Sequence, residues 1–147
     1  MIHIPDANFI ISALIKRGKV LELFEWNDIK KELTFVAPEY LSSQIKQNFP
    51  MIKAKSKLSE SELIELLNKI ELQIDFVPLS KFKSFIPKAL EISPPDDFPY
   101  VALALFLESE GHSVRVLSND KPLLKSLSKI EIKGITMHDL LRELKLV

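Results

Sequence analysis

Short apolar runs that break directly into helical periodicity constrain this chain more than any other feature. Ile2 to Pro5 is a short strand-like run ending at Asp6, and Phe9, Ile10, Ala13 and Leu14 then recur at helical spacing until Gly18 closes the turn. Val20 to Trp26 continues as a second helical piece. Leu33 to Ala37 reads as a buried strand, and Pro38 opens a helix with Leu41 and Ile45 on one face. Ser59 and Glu62 have the spacing of a capping box ahead of Leu63, Leu66, Leu67 and Ile70. Ile74 to Pro78 reads as a short edge strand, followed by a helix over Lys81 to Leu90 with a basic outer face. The stretch PPDDFPYVALALFLESEG, Pro94 to Gly111, then holds a helix that is apolar nearly all round, the pattern of a buried helix. Val114 to Leu117 is strand again and runs into Ser118, Asn119 and Asp120, ahead of a helix with Leu123, Leu124 and Leu127. Ile130 to Lys133 reads as the last strand, and Thr136 with Asp139 caps a final helix. Strands alternating with helices predict an α/β fold, with helices packed around a central, mostly parallel sheet of four to five strands joined by right-handed crossovers.

The 147 residues fit one domain, 1–147, whose core is large enough to need no disulfide or structural metal. Cysteine is absent, which removes thiol chemistry and Cys-based zinc sites and is compatible with a reducing compartment. Lys plus Arg and Asp plus Glu are each 20, so no net field holds a polyanion or a membrane surface, and nucleic-acid binding would have to be local. The N-terminal MIHIPDANFI lacks the pattern of a signal peptide, and no apolar run approaches the roughly 20 residues of a membrane span. The expectation is a soluble protein of the cytoplasm.

Two adjacent acids, Asp96 and Asp97, precede the apolar helix. One Asp suffices to cap a helix and suit its dipole, so a second suggests a charge placed for something else. Asp6 and Asp120 each follow the C-terminal end of a predicted strand, where open parallel sheets place their ligand crevice, and Asp97 can face the same crevice from its helix start. Three carboxylates gathered without basic partners repel one another, raising their pKa values and costing stability. A divalent cation relieves that cost. Hard oxygen donors suit Mg²⁺ or Mn²⁺, ions that polarise phosphoryl oxygens and activate water for attack on a phosphodiester. On the residues alone, a metal cluster and three independent helix caps both stand.

The order of DANFIISAL, PPDDFPYVALAL and VLSNDKPLL resembles the PIN-domain family, in particular the VapC-like ribonucleases. The segment SKLSESELIELLNKIELQIDFVPL is similar to the corresponding part of archaeal-type members, so the likeness covers nearly the whole chain. The resemblance implies a three-layer α/β/α PIN-like fold and a metal-dependent endoribonuclease cutting single-stranded or looped RNA. It also implies a homodimer and a protein paired with an antitoxin. By position, Asp6 matches the first family acid, with Asn8 in support; Asp97 matches the acid of the Asp-x-Pro-aromatic form, here DFPY. Asp120 matches the acid of the Ser/Thr-x-Asp motif, with Ser118 as its hydroxyl neighbour. These three would be the catalytic ligands of Mg²⁺ or Mn²⁺, leaving Asp96 as a cap or supporting charge.

Two positions depart from the family pattern. Gln44 stands where the family usually has a Glu, bringing an amide oxygen without charge, so ion affinity should fall. Glu39, about one and a third turns upstream on the same helix, is the nearest substitute acid, although charge at a helix N-terminus explains it as well. Pro122 occupies a place where many relatives carry an additional acid. The alternative to a nuclease is therefore a PIN-like module, weakened or inactive in catalysis, that binds RNA or protein. His3, His112 and His138 show no metal-ligand spacing and read as surface or satisfied histidines. Lys16, Arg17 and Lys19, and a basic loop with Lys53, Lys55 and Lys57, read as solvated surface unless they flank the crevice and steer RNA. Phe49, Phe82, Phe85 and Phe98 read mainly as packing residues, with base stacking as the other use. KSFIPKALEI and the apolar C-terminus are candidate partner surfaces.

Overall fold

The strand-and-helix alternation folds into one five-stranded sheet in the computed structural model, which describes residues 1–146. In chain order the elements are β1 (Ile2–Pro5), α1 (Ala7–Lys16), α2 (Lys19–Lys30), β2 (Thr34–Pro38), α3 (Glu39–Gln47), α4 (Phe49–Lys55) and α5 (Glu60–Glu71). There follow β3 (Ile74–Val77), α6 (Leu79–Phe82), a 3-10 turn (Lys83–Phe85), α7 (Ile86–Ile92) and α8 (Phe98–Ser109). The chain ends with β4 (Val114–Leu117), α9 (Lys121–Lys129), β5 (Lys133–Ile135) and α10 (Met137–Glu143). The strand order is β3-β2-β1-β4-β5, and every pairing is parallel. Parallel strands need crossovers that cover the sheet, and the helices accordingly flank it. The central strands are correspondingly buried: all four residues of β4 lie inside, Arg115 among them. No helix among the described residues is long and apolar enough to cross a membrane.

The helix within Pro94 to Gly111, α8, is the buried element its composition predicts. Val101, Ala102, Leu103 and Ala104 are each fully covered, and the helix packs on β2, β4, α6 and α7. The capping box of α5 forms with both of its bonds, Ser59 accepting from the Glu62 amide and Glu62 accepting from the Ser59 amide. β3 is an edge strand, as its short polar-flanked run predicts.

Three expectations are corrected. The last strand is Lys133–Ile135 rather than Ile130 to Lys133, because residues 130–132 close α9: the Ile130 and Ile132 amides both donate to the Leu127 carbonyl, and Glu131 adopts φ 60°. A helix over Lys81 to Leu90 is not continuous. Pro87 has no amide to give, so it fits the first turn of a new helix and the chain passes through the 3-10 turn before α7 begins. The expected basic loop is helical up to Lys55, with Pro50 in the first turn of α4, and only Lys57 remains in a loop.

Strand order sets the site. β1 stands between β2 and β4, and the winding reverses between β1 and β4. Open α/β sheets bind ligands beyond the carboxyl ends of the strands at such a switch point. The residues emerging from these two ends are Asp6 and the Ser118-Asn119-Asp120 loop.

Candidate active site

Asp6 follows β1 directly and is buried. Its amide donates to the Leu117 carbonyl of β4 at 3.1 Å, which stitches the two strand ends together. One carboxylate oxygen accepts from the Phe9 amide at 2.9 Å, a helix cap, and the other accepts from the Ser118 hydroxyl at 2.5 Å. Ser118 is fully buried and in turn accepts from the Asp120 amide at 3.0 Å, so one hydroxyl orients both an acid and the loop that presents another. Burial raises the pKa of Asp6, against the opposing pull of its bonds to Ser118 and the Phe9 amide.

Asp97 and Asp120 stand at the starts of α8 and α9, yet neither side chain caps its helix. Capping therefore accounts for Asp6 alone among the three. Asp97 is half-buried and stands near enough to Asp120 and Asp6 to feel their charge. Its pKa is pushed up to about 7, first by burial, then by the neighbouring Asp120, then by the charges of Asp6 and Asp96. None of the three acids forms an ion pair with Lys, Arg or His among the described residues.

These side chains line a cleft of about 250 Å³ together with Asn8, Gln44 and Asp96. Glu39 is exposed in the first turn of α3 and does not line it, and Pro122 lies in the exposed first turn of α9. Gln44 enters the cleft inside a chain of hydrogen bonds. The Tyr100 hydroxyl donates to its Oε1 at 2.5 Å, its Nε2 donates to the Tyr40 hydroxyl at 3.1 Å, and that hydroxyl donates to the Asp96 carbonyl at 3.2 Å. Both ends of the amide are engaged. The two tyrosines are the residues the sequence reading missed; their signal was spacing, since Tyr40 lies one helical turn before Gln44 and Tyr100 closes the DFPY motif.

The donor set suits a hard divalent cation: carboxylate oxygens with no basic partner among the described residues, in a polar cleft that raises the pKa values of Asp6 and Asp97. Among the described residues no three acids are drawn tightly enough to cage an ion by themselves.

The remaining candidates fall elsewhere. His3 is buried within β1, its Nε2 bonded to Arg115 at 3.1 and 2.8 Å and its Nδ1 without a partner among the described residues, while Arg115 reaches both oxygens of Glu143 at 2.8 Å. His112 is exposed, and His138 contacts Arg142 at 2.8 Å. Phe82 is fully buried, and Phe49, Phe85 and Phe98 pack half-buried on the core.

Residues 4–131, from β1 through the end of α9 and so including all three acids, match a family model described as the PIN domain. No curated protein matches the chain in sequence. Among solved structures, the chain is similar to the crystal structure of VapBC2 from Rickettsia felis bound to a DNA fragment from their promoter. The TM-score is 0.60 at 14% identity, covering 92% of this chain and 98% of that one, a likeness of fold. By sequence and by architecture, the chain belongs to the PIN domain family.

Proposed function

We propose that residues 1–147 form one PIN-like domain that acts as a divalent-metal-dependent endoribonuclease on single-stranded or looped RNA. The observation that carries this reading is the gathering of Asp6, Asp97 and Asp120 in one cleft at the sheet's switch point, without a basic partner among the described residues. Asp97 and Asp120 would hold Mg²⁺ or Mn²⁺ with Asp6. When bound, such an ion supplies positive charge at a phosphoryl oxygen and a water acidic enough to attack phosphorus near neutral pH. Ser118 keeps Asp6 and the Asp120 loop in place, and Asp97 would be held ionised by the charge of such an ion. Asn8 and Asp96 line the same cleft in support. Family membership and the likeness to a VapBC2 structure support a toxin role and an antitoxin partner, and a homodimer in the cytoplasm belongs to the same proposal.

Gln44 favours a second reading, a binding module with weak or no catalysis, because a neutral amide fixed between two tyrosines adds no charge to the site. One experiment separates them: cleavage of a pool of short single-stranded RNAs with Mn²⁺, with Mg²⁺ and with chelator, beside Asp6→Asn prepared identically. Metal-dependent cutting that disappears in the variant is the expected result. A folded but inert parent, with cutting gained in Gln44→Glu, would instead establish the binding module.

A further inference from the structure

The geometry points to a nucleotide subsite beside the acids, a groove along α1 that seats the nucleoside next to the cut phosphate and holds the following phosphate at Lys16; it rests on the nuclease reading. A groove of about 470 Å³ shares Asn8, Ile11 and Asp120 with the acidic cleft, so a molecule lying in one extends into the other. Its other lining residues include Ser12, Ile15, Lys16 and Asn119. Asn8, Ile11, Ser12, Ile15 and Lys16 recur at the three- and four-residue spacing of one helix face, a strip about 12 Å long from the first to the last at 1.5 Å per residue.

The chemistry along that strip suits a nucleoside. Half-buried Ile15 offers apolar surface to a sugar or base, above the buried Ile11. The side chains of Asn8 and Ser12 have no hydrogen-bond partner among the described residues, and Asn119 uses only its carbonyl oxygen, accepting from the Met137 amide at 3.2 Å. Its amide hydrogens are left to read a base edge. Lys16 is the sole cation lining either cavity, and it forms no ion pair among the described residues, whereas Lys19, Lys53 and Lys69 each face a glutamate. Metal at the acids and Lys16 at the far end of the groove would thus meet successive phosphates. In a chain of zero net charge, a local cation of this kind is how a polyanion can be held in one direction.

Lys16 also suits the C-terminal dipole of α1, so the test must separate binding from helix support. Binding of a fluorescent pool of single-stranded hexaribonucleotides is measured by anisotropy in chelator, where no cutting occurs, over a salt series. The proteins are the parent, Lys16→Ala, Ser12→Leu to fill the groove, and Lys57→Ala as an exposed control that lines neither cavity, each checked for an unchanged melting curve. Lys16→Ala should weaken binding about five- to tenfold at about 50 mM salt and lower the salt slope by about 0.7, the value for one phosphate contact on a single strand. Ser12→Leu should weaken binding without changing that slope, and Lys57→Ala should do neither. With Mn²⁺, Asn119→Ala should alter which nucleotide flanks the cut.

Equal slope losses in Lys16→Ala and Lys57→Ala would mean diffuse attraction and overturn the subsite. A parent that cuts RNA, with Lys16→Ala and Ser12→Leu binding like it, would overturn the subsite and leave the nuclease standing; a groove that serves a peptide would give this result. A parent that never cuts but loses binding in both variants would sink the hydrolytic reading and keep the subsite. No RNA binding by the parent would overturn both.

Discussion

Asp97 concentrates the conflict between function and stability in one side chain. Its carboxyl holds a proton up to about pH 7, whereas the unfolded chain releases it near the ordinary value of 3.8. The folded state therefore binds more protons across that window, and stability falls as pH rises from about 4 to 7. His3 works in the opposite sense. Burial and the neighbouring Arg115 hold its imidazole down to about 4 against an ordinary 6.5, so the folded state binds fewer protons there and stability rises with pH. The Asp97 contribution is thus visible only as a difference between proteins. In chelator, Asp97→Asn should melt above the parent at pH 7, with the gap closing toward pH 4. Mn²⁺ should raise the melting temperature of the parent at pH 7 and leave that of the variant nearly unchanged. A variant that melts at or below the parent at pH 7 would show that carboxylate crowding does not strain this cleft. The acid positions were legible in the sequence because strand ends are local features. The crowding of Asp97 by Asp120 was not, since it depends on how α8 and α9 start relative to each other.

At the scale of elements, helix ends explain where the sequence reading held and where it slipped. α8 closes with the Gly111 amide donating to Glu108 at 3.0 Å and the His112 amide to Leu107 at 3.1 Å, with Gly111 at φ 91°. α9 closes in the same way with Glu131 at φ 60°, a left-handed position occupied by a residue that pays for its Cβ. Gly marks such an end in sequence and Glu does not, which is why the strand after α9 was expected three residues early. Gly111→Ala has open space for its methyl, so its cost is backbone strain alone, about 1–2 kcal/mol. Glu131→Gly should stabilise by about 0.5 kcal/mol, strain relief less the entropy of an added glycine. Opposite shifts of the urea midpoint at constant slope would bear this out, and shifts of like sign would refute it. Periodicity over α1, α5 and α8 was sufficient to find them because each buries a definite face or, for α8, nearly every face. The segment from Leu79 to Ile92 carries the same apolar residues, but Pro87 breaks the pattern into two short helices.

Across the whole molecule, contacts between distant segments tie the sheet and the last helix into one body. Arg115, buried in β4, bonds His3 of β1 and both oxygens of Glu143 on α10. Glu143 is 47% exposed, so solvent screens the pair, and Glu143→Gln should cost about 1–2 kcal/mol, read as a fall of a few degrees in melting temperature. An unchanged melting temperature would mean that α10 docks by its apolar residues alone. By itself the sequence determined the alternation of strands and helices, the family, and the placing of acids at strand and helix ends, because periodicity, caps and motifs are written within a turn or two of chain. Only the tertiary structure decided that β1 and β4 are neighbours, which lets Ser118 bond Asp6 across 112 residues, and that Gln44 is taken up by Tyr40 and by Tyr100, 56 residues away. Strand order and side-chain networks arise from burying many separated segments at once, and no local stretch of sequence encodes that arrangement.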